Sequence, residues 1–306
     1  KGVTNSSGAG ASAGMGGLVL ATSHGFEGSY MASRFGHSVS VIAGEGTGME
    51  RDYDFDSRLY YAELDDPAEI GRRAGERVIK RVNPRQVPTG KDVTVIFDPR
   101  VARGFVGHIA GAINGASVAR KSSFLRDRMG QQVLKSGLSI TDDPLIVRGP
   151  SSRPFDGEGV SGERLVMIED GVLKHWFLST STARELGLET NGRGVRGGTA
   201  VSPSSTNLAL EPGDISPEDL IRSVGNGFYV TELIGHGVNM ITGEYSRGAT
   251  GFWIENGELT FPVSEVTIAS NLKEMFMRLT PANDIDRKFG VAAPTFAIEG
   301  MTLAGR

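Results

Sequence analysis

The chain has 306 residues, a formal net charge of −4 and no cysteine. An acidic balance leaves no basic footprint for nucleic acid, and the lack of thiols excludes disulfides, thiolate zinc ligands and cysteine nucleophiles. Glycine, at 43 residues beside 13 prolines, is about twice its usual ~7%, so a folded α+β chain is expected, strand-rich, with glycine-rich hairpins and a few packed helices. No apolar run approaches the ~20 residues of a membrane span, and no signal peptide is visible. The chain opens on Lys1-Gly2-Val3 and not on Met, so a start inside a longer protein is expected.

In chain order, residues 1–63 read as strands in glycine-rich punctuation, with Ser29–Ser33 and Ser38–Ile42 alternating as half-buried strands do. Gly8–Gly14 lacks the spacing of a nucleotide loop and has no strand before it, so it reads as a flexible segment or a turn, as does Gly44–Gly48. Asp66-Pro67 opens a helix to about Val82, by a capping Asp and a Pro at the first helical position. Pro84–Gly90 is the best internal break. It divides the chain into a strand-rich segment plus helix, 1–83, and a β-rich α+β domain, 84–306. Val93–Phe97 is a strand, and Asp98-Pro99 starts a second helix whose Val101, Phe105, Ile109 and Ile113 form a buried stripe. Ser122–Val133 reads as a shorter helix or loop, Thr141–Pro144 as a turn and Gly149–Gly162 as a polar loop. Asp170-Gly171 joins a hairpin. Ser181–Leu186 is a short helix, Asn191–Pro212 is loop-rich, and Ser216–Val224 is a capped helix. Phe228–Ile234 is a strand, Asn271–Leu279 a helix and Thr295–Leu303 a terminal strand pair.

The block Gly235–Asn271 is the most informative. Asn256-Gly257 between Trp253-Ile254-Glu255 and Glu258–Phe261 predicts a hairpin, because both turn residues tolerate positive φ. Before it, Thr242–Gly251 carries three glycines, several hydroxyls and one guanidinium. Read as a loop, it can present N–H groups and an arginine to a carboxylate or a peptide backbone.

Catalytic chemistry is harder to find. None of His24, His37, His108, His175 and His236 lies in HExxH, and a zinc centre needs three or four convergent ligands. Ser246 sits in Glu-Tyr-Ser-Arg-Gly, where Glu244 replaces the first glycine of GxSxG. Asp156 with Glu158, or Glu255 with Glu258, are carboxylate pairs in reach of acid–base work; the second pair flanks a two-residue turn, where exposed charge is expected.

Several phrases occur together and in order: Asp142-Asp-Pro, Phe155-Asp-Gly-Glu-Gly159, Ser181–Gly187, Thr231–Asn239, Thr242–Gly257, Pro262–Glu265 and Ile298–Gly305. Together they resemble the TldD/PmbA family, and within it the PmbA branch, also called TldE. The resemblance covers nearly the whole chain, and the family's N-terminal α/β segment is expected to be missing. It implies a cytoplasmic peptidase assembly in which TldD-type subunits carry zinc on an HExxxH helix with a later cysteine ligand, and PmbA-type subunits pair with them. The older family label, modulator of DNA gyrase, carries no implication of DNA contact. Here the corresponding window falls near Val106–Gly111, where both histidines and the glutamate are gone. No catalytic residue, metal ligand or cofactor is therefore expected in this chain; zinc is expected in a TldD-type partner. The function implied is that of a non-zinc subunit acting on peptides, in toxin-precursor maturation or in peptide or antitoxin degradation. It would pair with a TldD-type subunit as a heterodimer or with itself, hold a peptide substrate, and contact neither nucleic acid nor membrane. Asn239, Thr242, Tyr245, Ser246 and Arg247 are the candidate peptide- or partner-binding residues. The alternative is a homodimeric peptide-binding scaffold without hydrolytic activity, and a third reading is an independent hydrolase with an unusual site.

Overall fold

A computed structural model describes residues 2–306 and shows an α+β chain. Its first part is an antiparallel sheet of β1 (Val3–Ala21), β2 (Glu27–Ala43) and β3 (Glu50–Arg58), in that order. The Gly8–Gly14 run is neither flexible nor a turn. It forms the middle of β1, with Gly8 opposite Ser40 and Gly14 opposite Arg34. Small residues have little strand preference of their own, so the long ladder to β2 decides this conformation. The two strands expected at Ser29–Ser33 and Ser38–Ile42 are one continuous β2. Helix α1 (Pro67–Arg81) starts where Asp66 accepts a hydrogen bond from the Ala68 N–H at 2.8 Å. Its Ala74 and Val78 bury against Val41 and Ala43, a small core for so long a sheet.

The second part is built on a closed sheet. β4 (Gly90–Phe97) runs parallel to β11 (Gly227–Ile234) and antiparallel to β16 (Phe296–Ala304). β11 continues into β12 (Glu244–Glu255) and β13 (Glu258–Asn271), and β13 closes the ring by pairing Thr267–Ala269 with Thr302–Ala304. The Asn256-Gly257 turn has φ of 53° and 77°, as the hairpin signal requires. Helix α2 (Pro99–Ala112), capped by Asp98 onto the Arg100 N–H, lays Val101, Phe105 and Ile109 on one face of this sheet among Phe97, Phe228 and Phe296. Helix α5 (Pro217–Val224) covers the other face, placing Leu220 with Ile96, Ile254 and Ala297. The terminal segment expected as a strand pair is the single strand β16, with β14 (Leu279–Pro281) beside it.

A further sheet, in the order β15-β10-β5-β6-β7, extends the same core. Its strands are β5 (Ile140–Asp143), β6 (Leu165–Glu169), β7 (Val172–Leu173), β10 (Asn207–Leu210) and β15 (Val291–Ala292). Thr141–Pro144, expected as a turn, is mostly β5. Asp142 is fully buried there, accepting from Arg193 Nε at 2.6 Å and from the Thr206 N–H and hydroxyl at 2.7 Å. A polar triplet enters a strand when its partners are supplied from elsewhere in the chain. The region expected as loop-rich, 191–212, also contains the pair β8 (Gly194–Gly197) and β9 (Ala200–Pro203). Of the helix or loop expected at 122–133, the structure shows the loop, and a turn of helix lies earlier, as α3 (Gly115–Ala119). α4 (Thr180–Leu186) and α6 (Leu272–Met277) complete the helices named here.

Candidate functional site

The largest correction concerns Thr242–Gly251. It is not a loop: only Thr242, in a turn, and Gly243 precede the strand, and Glu244 onward is β12. Hydroxyls and glycines are tolerated because both neighbours supply ladder bonds. β13 pairs with Glu244–Ala249, and the returning segment after β11 meets the same stretch, with the Ser246 N–H donating to the Gly237 carbonyl at 2.7 Å and the Asn239 N–H to that of Glu244 at 2.9 Å.

The five sequence candidates thus have different positions. Asn239 shapes the connection, its Oδ1 accepting from the Ile241 and Thr242 N–H groups at 2.9 and 3.2 Å. Thr242 donates to Glu244 Oε2 at 3.2 Å. Ser246 is exposed, whereas Tyr245 is only 1% exposed and cannot offer its ring to a partner on the surface. Strand alternation puts Tyr245 and Arg247 on one side of β12, toward α2, where the Tyr245 ring lies 5.2 Å from Phe105 and 6.3 Å from His108. Its hydroxyl is buried without a hydrogen-bond partner, and burial raises its pKa. Arg247 donates from Nε to the Ile234 carbonyl at 3.2 Å. Burial, and secondarily the Arg247 charge, lower the His108 pKa.

Two clefts meet these residues. One of about 880 Å³ is lined by His236, Asn239, Met240, Tyr245, Ser246 and Ser270 among others. A smaller one of about 300 Å³ includes Arg100, Gly104, Leu233 and Arg247. Asn239, Tyr245 and Ser246 therefore converge, Arg247 borders the adjoining space, and Thr242 holds the turn between β11 and β12. Sequence reasoning passed over Arg100 and the glycines of α2. The available signal was their spacing, which falls between the apolar positions of the same helix.

The proposed carboxylate pairs carry structure. Asp156 accepts from the Glu158, Val160 and Gly194 N–H groups, and Glu158 accepts from the Thr180 N–H at 2.7 Å. Glu255 and Glu258 face one another across the exposed hairpin turn. The residues on α2 do not fit a metal centre: His108 packs edge-on against Phe105, and its surroundings contribute an arginine in place of a carboxylate. Among the described residues no group of three His, Cys, Asp or Glu is placed to hold a metal ion. No helix is long and apolar enough to cross a membrane.

A second polar centre joins the two parts of the chain. Arg81, from α1, contacts Glu232 Oε2 at 2.6 Å and Asp52 Oδ2 at 3.2 Å, while Arg100 reaches Asp52 Oδ1 at 2.9 Å. A cleft of about 490 Å³ lies over it, with Lys80, Asp98 and Tyr229 in its lining. An apolar groove of about 830 Å³ runs between β1–β2 and α1, past Phe35, Val39, Tyr61, Leu64 and Ile70.

Residues 89–305 match the family model described as the PmbA/TldA metallopeptidase C-terminal domain, and residues 2–82 match the corresponding central domain. The chain is 41% identical to the protein called Metalloprotease PmbA of Escherichia coli O157:H7, over all of this chain and 66% of that relative. A Bacteroides thetaiotaomicron protein whose crystal structure is described as a "putative modulator of DNA gyrase" superposes with a TM-score of 0.86 at 32% identity, over 97% of this chain and 66% of that one. TldE from Thermococcus kodakarensis shares the fold, with a TM-score of 0.83 at 23% identity over 92% of this chain and 65% of that one. The chain thus spans just under two thirds of the length of these relatives.

Proposed function

This chain belongs to the PmbA/TldD family, and on that premise we propose that it is the PmbA-type, non-zinc subunit of a cytoplasmic metallopeptidase assembly acting on peptides. The observation that carries the reading is the likeness, over all of this chain and 66% of the relative, to a protein named as a metalloprotease, combined with an α2 that offers Gly104, Gly107, His108 and Gly111 in place of a ligand set. Zinc and its hydrolytic chemistry then reside on a TldD-type partner. This chain's share is to bind and orient an extended peptide. Main-chain hydrogen bonds suit that task, because they hold a strand with little demand on its sequence. The cleft at Asn239, Tyr245 and Ser246 is the binding surface of this reading.

The test is a peptide-cleavage assay of this chain alone, a TldD-type partner alone and both together, with metal analysis of each. Cleavage is expected only in the mixture, with zinc on the partner. Hydrolysis or stoichiometric zinc in this chain alone overturns the reading in favour of an independent hydrolase. A homodimer that binds peptide, and adds nothing to the partner's activity, overturns it in favour of a scaffold.

A further inference from the structure

Helix α2 has two unlike faces. Val101, Phe105 and Ile109 are buried in the core. Gly104 and Gly107 are exposed on the other side, and Gly111 is partly so. A Cβ at Gly104 or Gly107 would meet nothing within 4 Å, and one at Gly111 would meet only the flexible end of Met240, at 3.4 Å. Neither crowding nor a left-handed backbone requires glycine at these positions. Each is a poorer helix former there than alanine. What they provide is an open helix surface that another backbone can approach closely.

The Tyr245 ring packs against Phe105 and His108 of the same helix, and its hydroxyl, on a side chain only 1% exposed, has no hydrogen-bond partner. A buried donor without an acceptor is unfavourable, so the site lacks a group that the chain itself does not provide. Arg247, on the same side of β12, forms no ion pair among the described residues beyond its bond to the Ile234 carbonyl. Its charge is the one that bears on both Tyr245 and His108. The acids in the neighbouring cleft, Asp52 and Glu232, are already paired with Arg100 and Arg81. An open backbone, a free phenol and an unpaired guanidinium complement an anion carried on an extended chain.

We propose that this face of α2 receives the C-terminal end of a peptide, its main chain lying along Gly104–Gly111 and its terminal carboxylate accepting from the Tyr245 hydroxyl and Arg247. The inference rests on the reading of this protein as a peptide-holding subunit and names the part of the peptide it holds. Reaching the hydroxyl requires the 236–241 segment, which lines the same cleft, to shift outward.

The experiment compares an N-acetylated tetra-alanine bearing a free carboxylate with its C-terminal amide, binding to the full chain by calorimetry at millimolar peptide. The free acid is expected to bind about tenfold more tightly, the scale of one charge-assisted hydrogen bond. Tyr245→Phe removes only an unpartnered hydroxyl, so thermal stability should hold or rise while the preference for the acid falls severalfold. Arg247→Gln should abolish that preference. Gly107→Leu, which suits a helix and meets no neighbour at Cβ, should block both peptides. Equal binding of acid and amide overturns the carboxylate site and leaves the peptide-holding reading standing. Binding of neither peptide overturns both. Unchanged preference in Tyr245→Phe means that the hydroxyl serves only a buried water, and also overturns the proposal.

Discussion

The two parts of this molecule are held by different forces. Around α2 and the closed sheet, aromatic and aliphatic side chains form one continuous apolar core, with Phe97 in contact range of both Phe105 and Phe296, ring centres 4.6 and 5.3 Å away. Under the first sheet the buried apolar cluster is small, Val41, Ala43, Ala74 and Val78, with Ile70 of α1 buried beside it. There two aspartates of β3 do much of the joining: Asp54 to Arg73 and Arg77 of α1, and Asp52 to Arg81 and Arg100. Burial of apolar area scales with size and is indifferent to direction. Ion pairs fix geometry and yield little net stability once desolvation is counted. The first part should therefore be the better defined in register and the weaker in free energy.

Breaking the stronger half comes first. Phe97→Ala empties a site closed by two rings and should cost about 3–5 kcal/mol. Both tryptophans, Trp176 and Trp253, lie in the second part, so urea unfolding followed by their fluorescence reads this loss directly. A shift of the midpoint by less than a third of that value would mean the core is not the main support of the closed sheet.

Next comes the joint. Arg81→Ala leaves Asp52, Glu50 and Glu232 without their shared cation, and removing one member of a buried pair costs about 3 kcal/mol. The loss should fall on the first sheet: hydrogen exchange along β1–β3 should accelerate by an order of magnitude or more, while the tryptophan midpoint moves far less. Equal movement of the two readouts would show a single cooperative unit and dissolve the comparison.

What was legible in the sequence follows the same divide between local and distant causes. Asp66-Pro67, Asp98-Pro99 and Asn256-Gly257 act within a few residues, and the helices and the hairpin begin and turn where they stand. β1 was not legible, because its Gly-Ala-Ser composition carries no strand signal and only the partner β2 makes it a strand. The same cause hid Thr242–Gly251, whose hydroxyls look like a loop until β13 and the 237–239 segment occupy its two edges. Of the site, Ser246 and Asn239 were identified by chemistry alone and do share a cleft. Tyr245 was named as part of a stretch read as a loop, and its period-two position in a strand buries it instead. Gly104 and Gly107 were missed because attention to α2 went to its apolar stripe, while their meaning depends on what stands opposite them.

The smallest expected effect is on pH dependence. Burial pushes the Asp54 carboxyl up, but the hydrogen bond from Arg73 and the charge of Arg77 outweigh it and hold the carboxyl below its ordinary value. For Asp56 burial is likewise outweighed, by the Asp65 N–H and by Arg58. A carboxylate with a depressed folded pKa stabilises above the unfolded value, near ~3.9, and that contribution fades as pH falls through the folded value. Glu50 acts in the opposite sense, since burial raises it despite Arg81; protonating it on acidification relieves a charge that is costly in the fold. The first sheet should therefore hold its exchange protection on moderate acidification and lose it below about pH 4, ahead of the tryptophan transition. Asp54→Asn should start from lower stability and show a flatter acid limb, because one of the titrating contributions is already gone. An acid limb unchanged in that variant, or a tryptophan signal lost at the same pH as β1–β3 protection, would place the acid sensitivity in the core and not in the ionic sheet.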